Sequence, residues 1–592
     1  MSVRAGTVAE LRERGQLLTK IGSLPVVVFA DGDDVFAIED RCPHMGFPLH
    51  RGTVECGLVT CHWHHARFDL ASGCTLDPFA DDARAFDVSV VGDDVLVTDR
   101  PSVDSVDHLR RRLVQGLEDG LTLVIAKAVL GLLDHGVAPR DIVATGVDWG
   151  TRYRDRGWGA GLTVLVAMAN ILPDLEDGDR ARALVHGLAF VSRDTRGSAP
   201  WFGLDPLSSA AVDPERLEEW YRRFVETRSG AAAERSLATA IDRGEGVAAA
   251  ETMMFAAVTD HVFLDGGHTL DFTNKAFEAL AYVGDDAAGH VLPTLVRETV
   301  GASREEETSE WRHPLDVAAL VRTTEPRLAA AWDEAAPRRG SLGDHDVARL
   351  AWTMLGDDPE TVVAALVDAT AAGAGAEQLA RAVAYAAALR LVRFHTQNDH
   401  ADWNTVHHAF TAANALHQAL TRAVTPELLR GVVHGALRVY LDRFLNVPAA
   451  RLPESRPAAL GELDRWWDVQ GGVNEAGEIA YGYLRGGGDS AALIATLGGA
   501  LLREDVEFHW YQVFEAAVRQ AGAWPEHSEE RALVLVGLAR FLAAHTPTRR
   551  ELSRVVDIAT RLRRGEALYE DDGVGEEEGE GEVGASTTSS SA

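Results

Sequence analysis

The chain has 592 residues, of which 46% are hydrophobic and 25% charged, and these values are typical of folded proteins. The length predicts at least two domains, because single domains rarely exceed about 300 residues. The formal net charge of −33 argues against nucleic acid as a partner, since phosphate binding requires clusters of Lys and Arg. The sequence begins without an apolar signal segment and contains no run of roughly 18 apolar residues, so we expect a cytoplasmic protein that does not contact a membrane.

The first hundred residues predict a small antiparallel β domain. Short runs rich in Val, Ile, Leu and Phe alternate there with turn signals rich in Gly and Asp. The runs read QLLTKI, PVVVFA, DVFAIE, GLVTC, FDVSVV and DVLVTD.

The composition changes after Pro101 to Ala, Leu, Arg and Glu, and apolar residues recur every three or four positions, which predicts helices. The predicted fold class is therefore a multidomain α and β protein, with a small antiparallel β domain followed by a large all-α domain. The predicted boundaries are the β domain at 1–102, a linker at 103–107, a catalytic all-α domain at 108–566 and a disordered acidic tail at 567–592.

Two pairs of cysteine and histidine lie in the β region. One residue separates Cys42 from His44, two separate Cys61 from His64, and sixteen (45–60) lie between the pairs. Two loops that each offer a thiolate and an imidazole suit a binuclear [2Fe–2S] cluster, in which the cysteines bind one iron and the histidines the other. A tetrahedral zinc site accepts the same four donors, although zinc motifs rarely begin with Cys-x-His.

The segment RCPHMGFPLHRGTVECGLVTCHWHHARFDLASG resembles the Rieske family, and the resemblance covers roughly residues 5 to 100. It implies a Rieske-type [2Fe–2S] cofactor with Cys42, His44, Cys61 and His64 as its ligands. In that family such a domain transfers single electrons.

Respiratory-type members of the family carry two further cysteines that form a disulfide beside the cluster. Phe47 and Trp63 stand at those positions here, so the chain resembles the ferredoxin and oxygenase branch and no loop disulfide is expected. Cys56 and Cys74 lie outside the motif, and we expect them to be half-buried thiols without a function.

Three segments of the helical region combine histidines with other polar residues: TDHVFLDGGHTLDFTNKAFEAL, RFHTQNDHADWNTVHHAFTAANALHQAL and VVHGALRVYLDRFLNVPAARLP. Helical bundles build iron sites from imidazoles and carboxylates that point inward from several helices. The candidate iron ligands or acid–base groups are His261, His268, His395, His407 and His434.

Other interpretations of these segments stay open. A histidine on an Ala-rich helix also serves as a hydrogen-bonded core or cap residue, and no convincing Glu-x-x-His pair supports a di-iron carboxylate site. Arg438 and Asp442 have the spacing of an exposed ion pair on one helix. The segments around His261 and His407 also resemble the questin oxidase-like family of helical enzymes, which implies oxidation of polyketide-type rings but assigns no catalytic residue.

These features predict an oxidoreductase, similar to a Rieske-dependent monooxygenase or dioxygenase, in which the Rieske domain passes electrons to an oxygenase-like helical domain. That domain would act on a small-molecule substrate, with an additional non-haem iron as a further expected cofactor. No GxGxxG fingerprint follows a strand, so an external NAD(P)H-dependent reductase or a ferredoxin must supply the electrons. The sequence also allows a homo-oligomer.

Alternatives follow from the same residues, among them a ferredoxin-type electron carrier with an inert helical appendage. The α-subunits of ring-hydroxylating oxygenases also begin with a Rieske domain, but their catalytic domain is rich in β structure, and the helical composition argues against that class. A further alternative is a redox-sensing or scaffold protein, in which the cluster reports oxidation state and the helical domain binds a protein partner.

Overall fold

The computed structural model describes residues 2–99, 106–154, 157–208, 212–243, 246–308, 315–566 and Leu568. The chain divides into two units, the first formed by Met1–Pro101 with Thr560–Ala592 and the second by Ser102–Ala559. Residues 103–105 of the predicted linker and the predicted acidic tail, apart from Leu568, lie outside the described residues. Residues 106 and 107 of that linker belong to a helix.

The first unit is an antiparallel β domain, which confirms the predicted fold class for this part of the chain. A six-stranded sheet has the order β1-β9-β8-β4-β3-β2, and a three-stranded sheet has the order β5-β6-β7. The strands are β1 (Ser2–Thr7), β2 (Gln16–Ile21), β3 (Leu24–Asp31), β4 (Asp34–Glu39), β5 (Thr53–Glu55), β6 (Leu58–Thr60), β7 (Arg67–Asp69), β8 (Ala85–Val91) and β9 (Asp94–Thr98). A short helix, α1 (Val8–Arg14), follows β1.

Strand β3 is buried on both faces and so separates two small hydrophobic cores. Val26 and Val28 pack into the core that contains α1, while Val27 and Phe29 pack into the core that contains Cys42 and Cys61. This pattern follows from the alternation of side chains along a strand, which places neighbouring residues on opposite faces. The two candidate cysteine ligands are therefore part of a hydrophobic core.

The second unit is helical, as predicted. Its helices, the last of which continues into the first unit, are α2 (Val106–Asp119), α3 (Thr122–Asp134), α4 (Pro139–Arg152), α5 (Ala160–Asn170), α6 (Asp177–Thr195), α7 (Pro214–Glu226), α8 (Gly230–Asp242), α9 (Val247–Thr259), α10 (His268–Val283), α11 (Ala288–Val291), α12 (Val296–Gly301), α13 (Glu305–Thr308), α14 (Val317–Glu334), α15 (Asp344–Met354), α16 (Pro359–Ala371), α17 (Ala376–Val392), α18 (His400–Arg422), α19 (Pro426–Leu441), α20 (Val473–Arg485), α21 (Ser490–Arg503), α22 (Phe508–Gly522), α23 (Glu529–His545) and α24 (Glu551–Arg563). Among the described residues, no helix is both long and apolar enough to cross a bilayer.

One continuous hydrophobic core joins these helices, and α17 lies inside it with nearly every residue buried. Its sequence is rich in Ala, which has no side chain beyond Cβ, so neighbouring helices can pack closely around it. Helix α18 packs against α17, α10 and α22, and α5 packs against both α10 and α22. This arrangement brings three of the histidine-bearing helices together in the interior.

Gly73 provides a test of the fold of the first unit. It has φ +80°, and a Cβ added there would lie 2.0 Å from the carbonyl oxygen of Ala83. Gly73→Ala should therefore destabilise the unit by more than the roughly 1–2 kcal/mol that a left-handed conformation costs an L-residue. Thermal unfolding followed by the visible absorbance of the bound cluster measures the loss.

Gly92→Ala is the matched control, because Gly92 has φ +67° and no atom within 4 Å of the added Cβ. It should destabilise the unit only by the roughly 1–2 kcal/mol that the left-handed conformation costs an L-residue. Equal destabilisation by the two variants would contradict the predicted clash.

Candidate functional site

The two cluster loops have the same local geometry. The N–H of Gly46 donates to the carbonyl of Cys42 at 2.7 Å, and the N–H of His65 donates to the carbonyl of Cys61 at 2.9 Å. Each loop thus closes a tight turn that starts at its cysteine and ends at a residue of positive φ, +84° at Gly46 and +61° at His65. The turns direct the intervening histidines back towards the cysteines.

The four sequence-predicted cluster ligands are brought together by these turns. Cys42 and Cys61 are each 1% exposed and share a hydrogen bond, which raises the pKa of the Cys42 thiol and lowers that of Cys61. The ring centroids of His44 and His64 are 4.7 Å apart. Two buried sulfur donors and two adjacent imidazoles fit a [2Fe–2S] cluster, with one donor pair for each iron.

Aromatic side chains pack beside these ligands. The rings of Phe47 and Trp63 have centroids 5.8 Å apart and connect the two loops, and Trp63 also contacts His64. No disulfide joins any of the four cysteines. Cys56 and Cys74 are exposed rather than half-buried, because Cys56 lies in the turn after β5 and Cys74 in the loop after β7.

Three histidines converge in the interior of the second unit. The Nε2 atom of His509 lies 3.0 Å from Nε2 of His408 and 3.4 Å from Nε2 of His268. One nitrogen from each of the three lies within 4.8 Å of the others, a spacing that can hold a metal ion. Burial is the main reason that the pKa values of His268 and His408 are lowered, which leaves these imidazoles neutral and able to donate lone pairs.

His407 adjoins this triad. Its ring centroid lies 4.4 Å from that of His408 and 4.5 Å from that of His509. The side chain is 1% exposed, and neither ring nitrogen has a hydrogen-bond partner among the described residues. A buried polar group of this kind normally has a partner, so His407 is an unusual feature of the core beside the triad.

A cavity of about 50 Å³ opens beside His408. Small residues of α18 and α19 form much of its wall, including Ala409, Ala412 and Gly435. His261 and His434 also line it. The space next to the triad is thus mostly apolar, with imidazoles at its edge.

The other candidate histidines occupy different surroundings. His261 lies between two carboxylates, 2.5 Å from Glu226 and 3.0 Å from Glu306, and the hydrogen bond to Glu306 raises its pKa. Burial lowers the pKa of His434 to about 3. His395 lies in a turn after α17, where its Nδ1 accepts from the backbone of Gln397, and it does not belong to the histidine group.

The group of histidines in the second unit therefore contains residues that the sequence predicted as candidates and residues that it did not. His268 and His407 were candidates from the sequence, whereas His408 and His509 were not. A signal for His509 is present in α22, where His509, Gln512, Glu515 and Arg519 recur every three or four residues in an otherwise apolar helix. The Arg438 and Asp442 pair is buried rather than exposed, because both side chains face the interior beside α13.

Comparison with known proteins agrees with the geometry of the first unit. The Rieske [2Fe-2S] domain family matches residues 2–87. The anthranilate 1,2-dioxygenase ferredoxin subunit of Burkholderia cepacia is 31% identical over 93 residues, which are 16% of this chain and 86% of that protein. Human apoptosis-inducing factor 3 is 33% identical over 104 residues, 17% of each protein. The ferredoxin of carbazole 1,9a-dioxygenase from Nocardioides aromaticivorans is a similar solved structure, with 30% identity, a TM-score of 0.16 and coverage of 17% of this chain and 99% of that one.

The fold and the ligand set of the first unit define an iron–sulfur electron-transfer domain. Through this domain the chain belongs to the Rieske [2Fe–2S] family. The likeness to ferredoxin components of dioxygenases implies electron transfer by the domain. The chain spans only 17% of the length of apoptosis-inducing factor 3.

His261 makes the stability of the second unit depend on pH. Its pKa in the folded protein is raised above the ordinary value of 6.5, so its contribution is fully present below about pH 6.5 and is lost as the pH rises through the folded pKa. His261→Gln should lower the unfolding midpoint by about 1–2 °C at pH 5.5 and by less at alkaline pH. Calorimetric scans from pH 5.5 to 9 check this.

His395→Gln serves as the control, because it removes a histidine that lies outside these ion pairs. An equal shift of the His261→Gln midpoint at both ends of the pH range would refute the assignment.

Proposed function

We propose that the protein is a Rieske-dependent oxidoreductase whose helical unit holds a non-haem iron at His268, His408 and His509. The Rieske domain would receive single electrons from an external reductase or ferredoxin and deliver them to this iron. The observation that supports the proposal is the convergence of three Nε2 atoms in the interior of the helical unit.

The spacing of the triad suits a metal. A metal ion bonded at about 2.0–2.1 Å to nitrogens in tetrahedral positions places those nitrogens about 3.3 Å apart. The two Nε2 distances of 3.0 and 3.4 Å lie close to this value. Hydrogen bonds between neutral imidazoles explain the two close contacts of His509 less well than a shared metal does, because each ring carries only one N–H donor.

The covalent attachment of an electron-transfer domain supports a redox-active metal at this site. Zinc also binds three histidines, but it has no accessible second oxidation state and cannot use electrons. Imidazole ligands suit iron, and an iron held there would supply the binding and reduction of dioxygen. The group consists of three histidines, without a carboxylate. It therefore differs from the iron site of many oxygenases, which has two histidines and one carboxylate as ligands.

The cavity of about 50 Å³ supports access of a molecule of the size of dioxygen, because pockets for organic ligands measure about 300–1,000 Å³. Its wall is mostly apolar, and His408 places one candidate metal ligand at its surface. His434, kept neutral by burial, and His261, whose pKa is raised by its hydrogen bond to Glu306, are positioned to accept and donate protons at the cavity edge.

We further propose that the protein is cytoplasmic and that its partner is an external NAD(P)H-linked reductase. The lack of disulfides among the four cysteines agrees with a reducing compartment. Two relatives named as ferredoxin components of dioxygenases support an electron carrier that works with separate proteins.

Iron analysis tests the second centre. Full-length protein reconstituted anaerobically should contain about three irons and two acid-labile sulfides per chain, the third iron being the one at the triad. His408→Ala should reduce the iron to about two per chain and leave the Rieske paramagnetic resonance signal of the reduced cluster unchanged. His395→Ala is the control and should keep the third iron, because His395 lies outside the triad.

Two irons in the wild-type protein would contradict the proposal and favour a redox-sensing or scaffold role. A zinc content of one per chain in place of the third iron would contradict the redox function of the site.

Replacement of a cluster ligand tests electron delivery. Cys42→Ser removes one of the two buried sulfur donors, so oxidation of NADH coupled to dioxygen consumption should fall by at least about 100-fold in a mixture with a Rieske-ferredoxin reductase. Cys74→Ser changes an exposed thiol outside the site and should retain the wild-type rate. An unchanged rate in Cys42→Ser would exclude the Rieske domain from the electron path.

A further inference from the structure

Helices α10 and α22 face each other through three successive polar pairs. The first pair is His268 with His509, the second is Asp271 with Gln512, and the third is Lys275 with Glu515. We call these three pairs the polar ladder. Its members recur every three or four residues on each helix, so they lie on the faces that the two helices share.

The third pair is a buried ion pair. The Nζ atom of Lys275 is 2.9 Å from Glu515 and 2.8 Å from Glu278, and Lys275 and Glu515 are each only 1% exposed. Burial opposes the charge of Lys275, but Glu278 and Glu515 outweigh that effect and raise its pKa. Lys275 is therefore a buried cation held between two carboxylates on different helices.

Two amides extend this ion cluster to the neighbouring helices. Asn170 of α5 donates to Glu278 at 2.8 Å and to Glu515 at 3.1 Å. Asn414 of α18 lies 3.5 Å from Glu515, six residues along α18 from His408. All three helices that carry the triad therefore meet again at Glu515.

Stability alone does not explain such a cluster. Replacement of a buried ion pair by apolar residues of similar volume is often neutral or stabilising, because the charges lose their hydration on burial. The best-supported role of buried polar groups is to fix the register between helices. Here the register matters at the other end of the ladder, since a slide by one residue moves a helix by 1.5 Å along its axis.

We propose that Lys275 and Glu515 are positioning residues that set the register of α10, α18 and α22 and thereby the separation of His268, His408 and His509. The inference rests on the proposed function, because it assigns the triad to a metal. A metal tolerates displacements of its ligands of only about 0.2–0.5 Å, which is less than apolar helix packing by itself guarantees. The ion cluster adds the directional contacts that fix the position.

The experiment measures metal binding by the full-length protein with its cluster oxidised. Isothermal titration with Zn(II) after chelator treatment gives the affinity of the triad, and paramagnetic resonance of the Co(II)-loaded protein reports ligand geometry, because the oxidised cluster is diamagnetic. Lys275→Met keeps most of the length of the side chain and removes the charge. We expect it to bind Zn(II) 10- to 100-fold more weakly than wild type, the range found for residues that support metal ligands.

A double variant separates positioning from charge balance. Lys275→Met leaves the buried carboxylates Glu278 and Glu515 with Arg519 as their remaining cation, whereas Lys275→Met with Glu515→Gln restores the balance of charge. The double variant should recover much of the thermal stability but retain the weak Zn(II) binding and the altered Co(II) spectrum. It also keeps the test decisive if the single variant does not fold.

Leu113→Ala is the stability control. Leu113 is fully buried in α2, which packs mainly against α3 and α6, so its truncation destabilises the unit away from the triad. It should bind Zn(II) with wild-type affinity.

Wild-type affinity and an unaltered Co(II) spectrum in the folded double variant would overturn the inference. Equal weakening by Leu113→Ala would also overturn it, because the loss would then follow from stability. Absence of Zn(II) and Co(II) binding by the wild-type triad would instead overturn the proposed function.

Discussion

The second unit depends on bringing neutral imidazoles into contact within a hydrophobic interior. His408 and His509 are separated by 101 residues in the sequence, and His268 and His509 by 241, yet their Nε2 atoms lie 3.0 to 3.4 Å apart. Burial lowers the proton affinity of His268 and His408, and this both prevents mutual repulsion and leaves lone pairs available. The packing of α10, α18 and α22 must therefore serve a chemical arrangement in addition to a core.

The two candidate centres differ in how much of each the sequence could predict. Cys42, His44, Cys61 and His64 form a local pattern, because both loops close through backbone hydrogen bonds within five residues. The triad has no such pattern, since each histidine comes from a different helix and their convergence is a property of tertiary packing. Periodicity identified His268 and His407 as polar residues on helices, but it could not show which other helix would face them.

The fold shows the same limit. The strands predicted between residues 16 and 99 correspond to β2, β3, β4, β6, β8 and β9, because alternation and turn signals are local. Strand β1 and helix α1 were not predicted, since Ser2–Thr7 contains Arg, Gly and Ala and becomes a strand by pairing with β9. Pairing across 90 residues is invisible to a local pattern. The short helix α13 likewise falls within a stretch of Glu and Ser that suggests a break, and contacts from Glu305 and Glu306 to Arg438 and His261 hold it in place.

The small residues of α18 and α19 connect the packing to the chemistry. A Cβ added to Gly435 would lie 2.6 Å from Val383 of α17, and one added to Gly431 would lie 2.9 Å from Leu416 of α18. Glycine at these positions lets α19 approach its neighbours closely. The cavity beside His408 thus lies between the closely packed small residues and the larger imidazoles of His408 and His434. An Ala- and Gly-rich helix pair next to a polar ladder gives one bundle both a small apolar cavity and a group of closely spaced imidazoles.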